Sequence, residues 1–438
     1  MKLGPLTARP EQALVTCADI IRDNAKLQEG FALEQVPSPL RVADEDGGNG
    51  SQPNGVDSVY VIDGLLDTTL CLHDARAFDV RMAACECLKA YFFNHPDVRL
   101  HFLRRAIDGH RSGADETANV LTTLLRSPAD SASHDPYRYW FAAVIMFHLL
   151  YQDPTAKALA MAVTEGDEAS GEEVVTSIQT IAAHLLTSLN KGDDLRVIVG
   201  CLMLLLCWLY EDLDAVNDLL SEGSNVQGLI QAALGGVAGG ETVTQGLCAM
   251  ILGVIYEFST KDSPVPRETL QQMLVGRLGR DRYVDRLNRL RTWPLLRDFE
   301  VLPQKLDLSS GQKLPDVFFD ADFVDFFKDN YSRLMRAVDR DPGMEISVVT
   351  NGVQKGISRE MVDSLRVQVE EKERALQEVQ ANMASLEGQL GQERADHRRT
   401  KETAAVDHGR AKAANESLRR RNEDEIATIR RQHAEETR

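Results

Sequence analysis

Along residues 1–345, apolar side chains recur three and four positions apart, which places them on one face of an α-helix. In Tyr60–His73, for example, Val61, Leu65, Leu66, Thr69 and Leu72 share such a face. The same spacing predicts helices over Glu11–Gln28, Ala77–Asn94, Pro136–Tyr151, Glu172–Asn190, Asp194–Tyr210, Thr242–Ser259 and Ala321–Val338. No run alternates convincingly as a half-buried strand would. The breaks are chemically legible. Asp153-Pro154 closes the helix ending at Tyr151, and Gly192 followed by Asp193 and Asp194 supplies a stop and then an N-cap. Two stretches, Ala43–Asp57 and Thr164–Glu173, are acidic and rich in small residues, and read as mobile loops.

Several helices share a design: a polar start, small residues midway, then a dense aliphatic or aromatic stretch. Ala83-Ala84, Ala142-Ala143, Gly200 and Gly246 are the small residues that let backbones approach closely. These helices lie roughly 45 to 60 residues apart, against about 40–47 for armadillo and HEAT repeats. An α-solenoid of stacked helices with loop insertions fits best, and a closed bundle is the alternative.

From Val362 the spacing changes to a heptad: Val362, Leu365, Val369, Lys372, Leu376, Val379, Met383, Leu386 and Leu390. The register continues through Glu393, His397, Thr400, Ala404, Asp407, Ala411, Ala414 and Leu418 with few large apolar groups. The expected fold class is therefore all-α: an armadillo-like α-solenoid head followed by a coiled-coil rod. The expected segments are 1–57, an incomplete leading repeat with a mobile loop; 58–345, the head; 346–361, a linker; and 362–438, the coiled coil. The apolar heptad positions make the expected homodimer seam.

Charge separates the same two parts. The chain has 438 residues, 49 basic and 67 acidic, for a net charge of −18. Residues 355–438 hold 17 of each sign, so 1–354 carries the whole excess. That acidity excludes the basic footprint of a nucleic-acid binder and argues against broad adsorption to anionic lipid. Cys201, Cys207 and Cys248 lie in apolar runs, and Cys85-x-Cys87 has no second pair at zinc spacing, so the seven cysteines read as reduced structural thiols. No signal peptide is visible. The longest apolar run, Val197–Tyr210, falls short of the ~20 residues that span a bilayer and reads as a buried core helix.

No motif for chemistry survives scrutiny. There is no G-x-x-x-x-G-K-[ST] loop and no H-E-x-x-H. Ser188-Leu189-Asn190-Lys191 fits S-x-x-K without its partner motifs. His148, on an apolar helix, reads as a satisfied core histidine, and the acidic loop lacks the oxygen spacing of an EF-hand. Trp140, Trp208 and Trp293 read as core or groove residues. No catalytic, cofactor or metal site is predicted, and an enzyme is not expected.

Longer blocks carry a resemblance. Leu195–Leu220, SNVQGLI (224–230), TQGLCAMILGV (244–254), GRLGRDRYVDRL (276–287) and VFFDADFVDFF (317–327) occur in an order that resembles the head of the general vesicular transport factor family, from about residue 57 to 340. GADETANVLTTLL and DPYRYWFAAV resemble fungal members most. The resemblance implies a non-enzymatic tether of endoplasmic-reticulum-to-Golgi and intra-Golgi traffic, peripheral on the cytosolic face of Golgi membranes and vesicles. It implies recruitment by a Rab-type GTPase, engagement of SNARE proteins and dimerisation through the rod. It also implies repeats before this chain and more rod after it, so the sequence reads as a fragment. A cytosolic helical-repeat scaffold of another pathway is the alternative.

Overall fold

The computed structural model describes residues 10–38, 58–72, 78–113, 118–128, 135–166, 171–235, 241–300, 319–345, 348–350, 353–355 and 359–436. For 241, 348–350, 353–355, 359–371 and 373 only the backbone is described. The chain divides into two compact units, Met1–Gly356 and Ile357–Arg438. The loop expected at Ala43–Asp57 lies outside the described residues.

The first unit is built from three-helix repeats. α1 (Pro10–Ile21) and α2 (Ala25–Phe31) lead into α3 (Val61–Cys71), α4 (Phe78–Phe92) and α5 (Pro96–Ser112). The next repeats are α6 (Val120–Leu125), α7 (Pro136–Leu150) and α8 (Pro154–Met161), then α9 (Ser177–Lys191), α10 (Leu195–Leu209) and α11 (Leu213–Ser221). α12 (Gly223–Leu234), α13 (Glu241–Phe258) and α14 (Arg267–Met273) follow. A π-turn over Leu274–Leu278, α15 (Arg280–Thr292), α16 (Pro294–Arg297), α17 (Ala321–Met335) and a 3-10 turn over Ala337–Asp339 close the unit. The middle helices form one layer: α1 packs on α4, α4 on α7, α7 on α10 and α10 on α13. Every residue from Val197 to Leu209 is buried, as expected for the long apolar run. Gly200 lets α10 sit on α7: a Cβ there would lie 3.3 Å from both the Trp140 Cα and the Ala143 Cβ.

A repeated corner follows the middle helices α1, α4, α7 and α10. Asp23, Asn94, Gln152 and Glu211 adopt left-handed backbone with φ of 51–59°, and the next residue caps the third helix. The last three corners are 58 and 59 residues apart. This period exceeds that of a simple armadillo array. The first corner corrects the single helix expected over Glu11–Gln28: Asp23 turns the chain, and Asn24 restarts it by accepting from the Leu27 N–H.

Three small antiparallel pairs qualify the strand-free expectation. They are β1 (Gln35–Pro37) with β2 (Ser58–Tyr60), β3 (Thr164–Glu165) with β4 (Val175–Thr176), and β5 (Val348–Thr350) with β6 (Val353–Lys355). β4 explains why α9 starts five residues later than expected: Thr176 and Gln179 form a reciprocal capping box there. The loop at Thr164–Glu173 is pinned at its base by this ladder and by Glu165, 2.6 Å from His110 Nε2. The second unit is one continuous helix, α18 (Arg359–Glu436).

Candidate functional site

Helix C-termini leave carbonyls unpaired and carry partial negative charge. In the first unit these ends are met by donors from the preceding repeat. The Gln28 amide donates to the carbonyls of Ala90, Tyr91 and Phe93 at 2.8–3.1 Å. Arg99 donates to Tyr151 O at 3.0 Å, and Lys157 to Tyr210 O at 2.7 Å. Each donor stands four residues after its cap: Asn24, His95 and Asp153. At the fourth corner the equivalent position is Val216. There Arg267 of α14 turns back onto the end of α13 and donates to Glu257 O at 2.8 Å.

α17 lies across these same ends. Asp320 caps it, accepting from the Asp322 N–H at 3.0 Å. The buried Asp320 carboxylate also accepts from Lys89 Nζ of α4 at 2.8 Å, and lies 3.0 Å from His148 Nε2 of α7. Burial alone would raise the Asp320 pKa, but Lys89 and His148 hold it well below the usual carboxylate range. Burial would lower Lys89, but Asp320 and Glu86 push it above the usual lysine range. Along α17, Phe323 meets Phe147, and Phe326 meets Tyr151 and Tyr210 edge-on. At its C-terminal part, Arg333 donates to Tyr210 Oη at 3.0 Å, Glu211 at 3.1 Å and the fully buried Glu257 at 2.8 Å. Arg340 also pairs with Glu257.

His148, Asp320 and Asp322 bring potential metal ligands within 4.8 Å of one another. The ammonium of Lys89 already neutralises Asp320, and the His148 ring faces Asp320 with one nitrogen and Asp322 with the other, 3.3 Å away. That is an ion-pair network. His148 is the satisfied core histidine expected from its helix, whereas Lys89 and Asp320 were not singled out by sequence. The signal for Asp320 was three aspartates inside the aromatic run VFFDADFVDFF. Ser188 of the S-x-x-K match is buried in the last turn of α9, where its carbonyl accepts from the Gly192 N–H. Among the described residues the seven cysteines form no disulfide, and burial pushes Cys87, Cys201, Cys207 and Cys248 up to about 12. Among the described residues no helix is long and apolar enough to cross a membrane.

The expected seam residues all fall on α18. Val362, Leu365 and Val369 lie where only the backbone is described. Leu376, Val379, Met383, Leu386 and Leu390 are 49–63% exposed.

Residues 24–338 match the family model of the Uso1/p115-like vesicle tethering protein, head region. The chain belongs to that family. The match reaches upstream of residue 57, so α2 and its cap Asn24 are part of the family head. It ends inside the 3-10 turn that follows α17. The intracellular protein transport protein USO1 of Saccharomyces cerevisiae is 26% identical over 388 residues, 78% of this chain and 21% of the yeast protein. The general vesicular transport factor p115 of Bos taurus is 25% identical over 221 residues, 49% of this chain and 22% of that protein. A crystal structure of Uso1 superposes with a TM-score of 0.64 at 28% identity, covering 76% of this chain and 49% of that one. The chain thus spans about a fifth of the full-length relatives it matches.

Proposed function

We propose that this chain is part of a non-enzymatic tether that bridges transport vesicles to the Golgi membrane before fusion, in endoplasmic-reticulum-to-Golgi and intra-Golgi traffic. The observation that carries this reading is the family head over residues 24–338. Helical repeats offer extended surfaces for proteins rather than pockets for reactions. The separate α18 supplies reach: 78 residues at 1.5 Å per residue extend about 117 Å. Its heptad stripe supports a parallel homodimer, with 362–438 as the coiled coil and 346–361 as the link to the head. In this reading the protein is peripheral on the cytosolic face of Golgi membranes and vesicles. A Rab-type GTPase recruits the head, and SNARE proteins are engaged before fusion. A pull-down of the chain against GTP-locked and GDP-locked Rab-type GTPases tests the recruitment step. Selective recovery of one GTP-locked member is expected; equal or absent recovery in both nucleotide states rules out direct recruitment through these residues.

A further inference from the structure

In a repeat stack each repeat contacts mainly its neighbours, so stability approximates a sum of local terms. α17 breaks that rule. Through Asp320 and Phe323 it holds α4 and α7; through Phe326 it reaches the ends of α7 and α10; through Arg333 it reaches α10 and α13. The partners of Asp320 stand 231 and 172 residues away in sequence. Both terminal anchors are ionic and centre on a buried carboxylate: Asp320 with the buried Lys89 at one end, Glu257 with the part-exposed Arg333 and Arg340 at the other. Between them runs a row of aromatic side chains from the helix ends: Phe147, Tyr151, Tyr210 and Phe258.

We propose that α17 is a clasp that joins four repeats into one cooperative unit, and that its detachment uncovers the aromatic row in a single step. A buried ion pair costs little while intact, but losing one partner strands the other charge, so each anchor releases sharply rather than gradually. The C-terminal anchor is the one nearest in sequence to α18. A load or a partner acting on the residues after Val338 therefore reaches Arg340 and Arg333 first, and through them all four middle helices.

Native-state hydrogen exchange on the whole chain tests this with two variants. Asp320→Asn keeps an N-cap but removes the charge facing Lys89 and His148. Its direct partners are α4 and α7, yet exchange is expected to rise about tenfold or more at the distant amides of Asp212, Val216 and Ser259, which the substitution does not touch. Arg333→Met touches α10 and α13, and the same rise is expected at Asp153 and Lys157 on the far side. Acceleration confined to the directly touched helices in both variants would overturn the clasp. Should Asp320→Asn fail to fold, Lys89→Met combined with Asp320→Asn leaves neither member of that pair charged, and the same distant amides decide the question.

Discussion

At Gly246 there is no room for a side chain. A Cβ there would stand 2.5 Å from the Leu290 Cβ and 3.1 Å from the Arg286 carbonyl, so α13 and α15 meet through this glycine. Gly246→Val is expected to lower the melting temperature, because overpacking costs about 1–3 kcal/mol; an unchanged melting curve would show that the helices can part freely. Asp320 sets a pH dependence. Its folded pKa lies below the ordinary 3.8, so its contribution is complete above that value and is lost as pH falls below it. Lys89, raised above its ordinary 10.5, contributes below that value and loses its contribution as pH climbs past it. Urea unfolding across acid pH should therefore show a steeper fall below about pH 4 in the native chain than in Asp320→Asn. Parallel acid limbs in the two proteins would mean that Asp320 is not held charged. Sequence exposed Gly246 because a glycine among the apolar residues of a helix signals close packing. It did not expose Lys89, because nothing local says that a lysine on α4 will meet an aspartate 231 residues later.

Between helices, the recurring device is a donor four residues after a cap that reaches the end of the next middle helix. Lys157 is the cleanest case: buried, with its ammonium on Tyr210 O. Lys157→Met keeps the apolar stem and removes the donor, and should destabilise the unit by about 1–3 kcal/mol. Lys191→Met, on an exposed lysine, is the control and should change stability little. Equal effects of the two in chemical denaturation would deny the bond its role. The helices themselves were largely legible in the sequence. Gly192 with φ 70° ends α9 and Asp194 caps α10, as their residue types dictate. The failures share one cause. Asp23, Asn94, Gln152 and Glu211 turn the chain without glycine, and the strain of that left-handed backbone is tolerated because capping and packing on both sides fix the corner. A local pattern cannot show that support. The donor at position four is equally silent, since its acceptor carbonyl lies 52 to 65 residues downstream and has no side-chain signature.

At the scale of the molecule, a helical-repeat unit is joined in sequence to a helix of 78 residues that exposes a row of apolar side chains. Large aliphatic groups at heptad spacing are the signature of a seam that a second helix covers. Val362 and Val369 alternate with Leu365, and a β-branched residue paired with leucine in this way favours two parallel strands. In the proposed seam Lys372 would interrupt the apolar row and help to fix register at a cost in stability. Beyond Leu390 the register meets Glu393, His397 and Asp407, while the exposed Val406, Ile426 and Ile429 fall outside it. In a parallel homodimer each acidic seam residue would face its own copy, so the strongest pairing belongs to 362–390. Leu376→Asp with Leu386→Asp puts unpaired charge into that stretch and should convert the full chain from dimer to monomer in sedimentation equilibrium. Lys372→Leu should instead tighten association and relax the choice of strand number. An unchanged dimer in the double aspartate variant would place the dimer contact elsewhere, and α18 would then be a single solvated helix whose apolar row serves another partner.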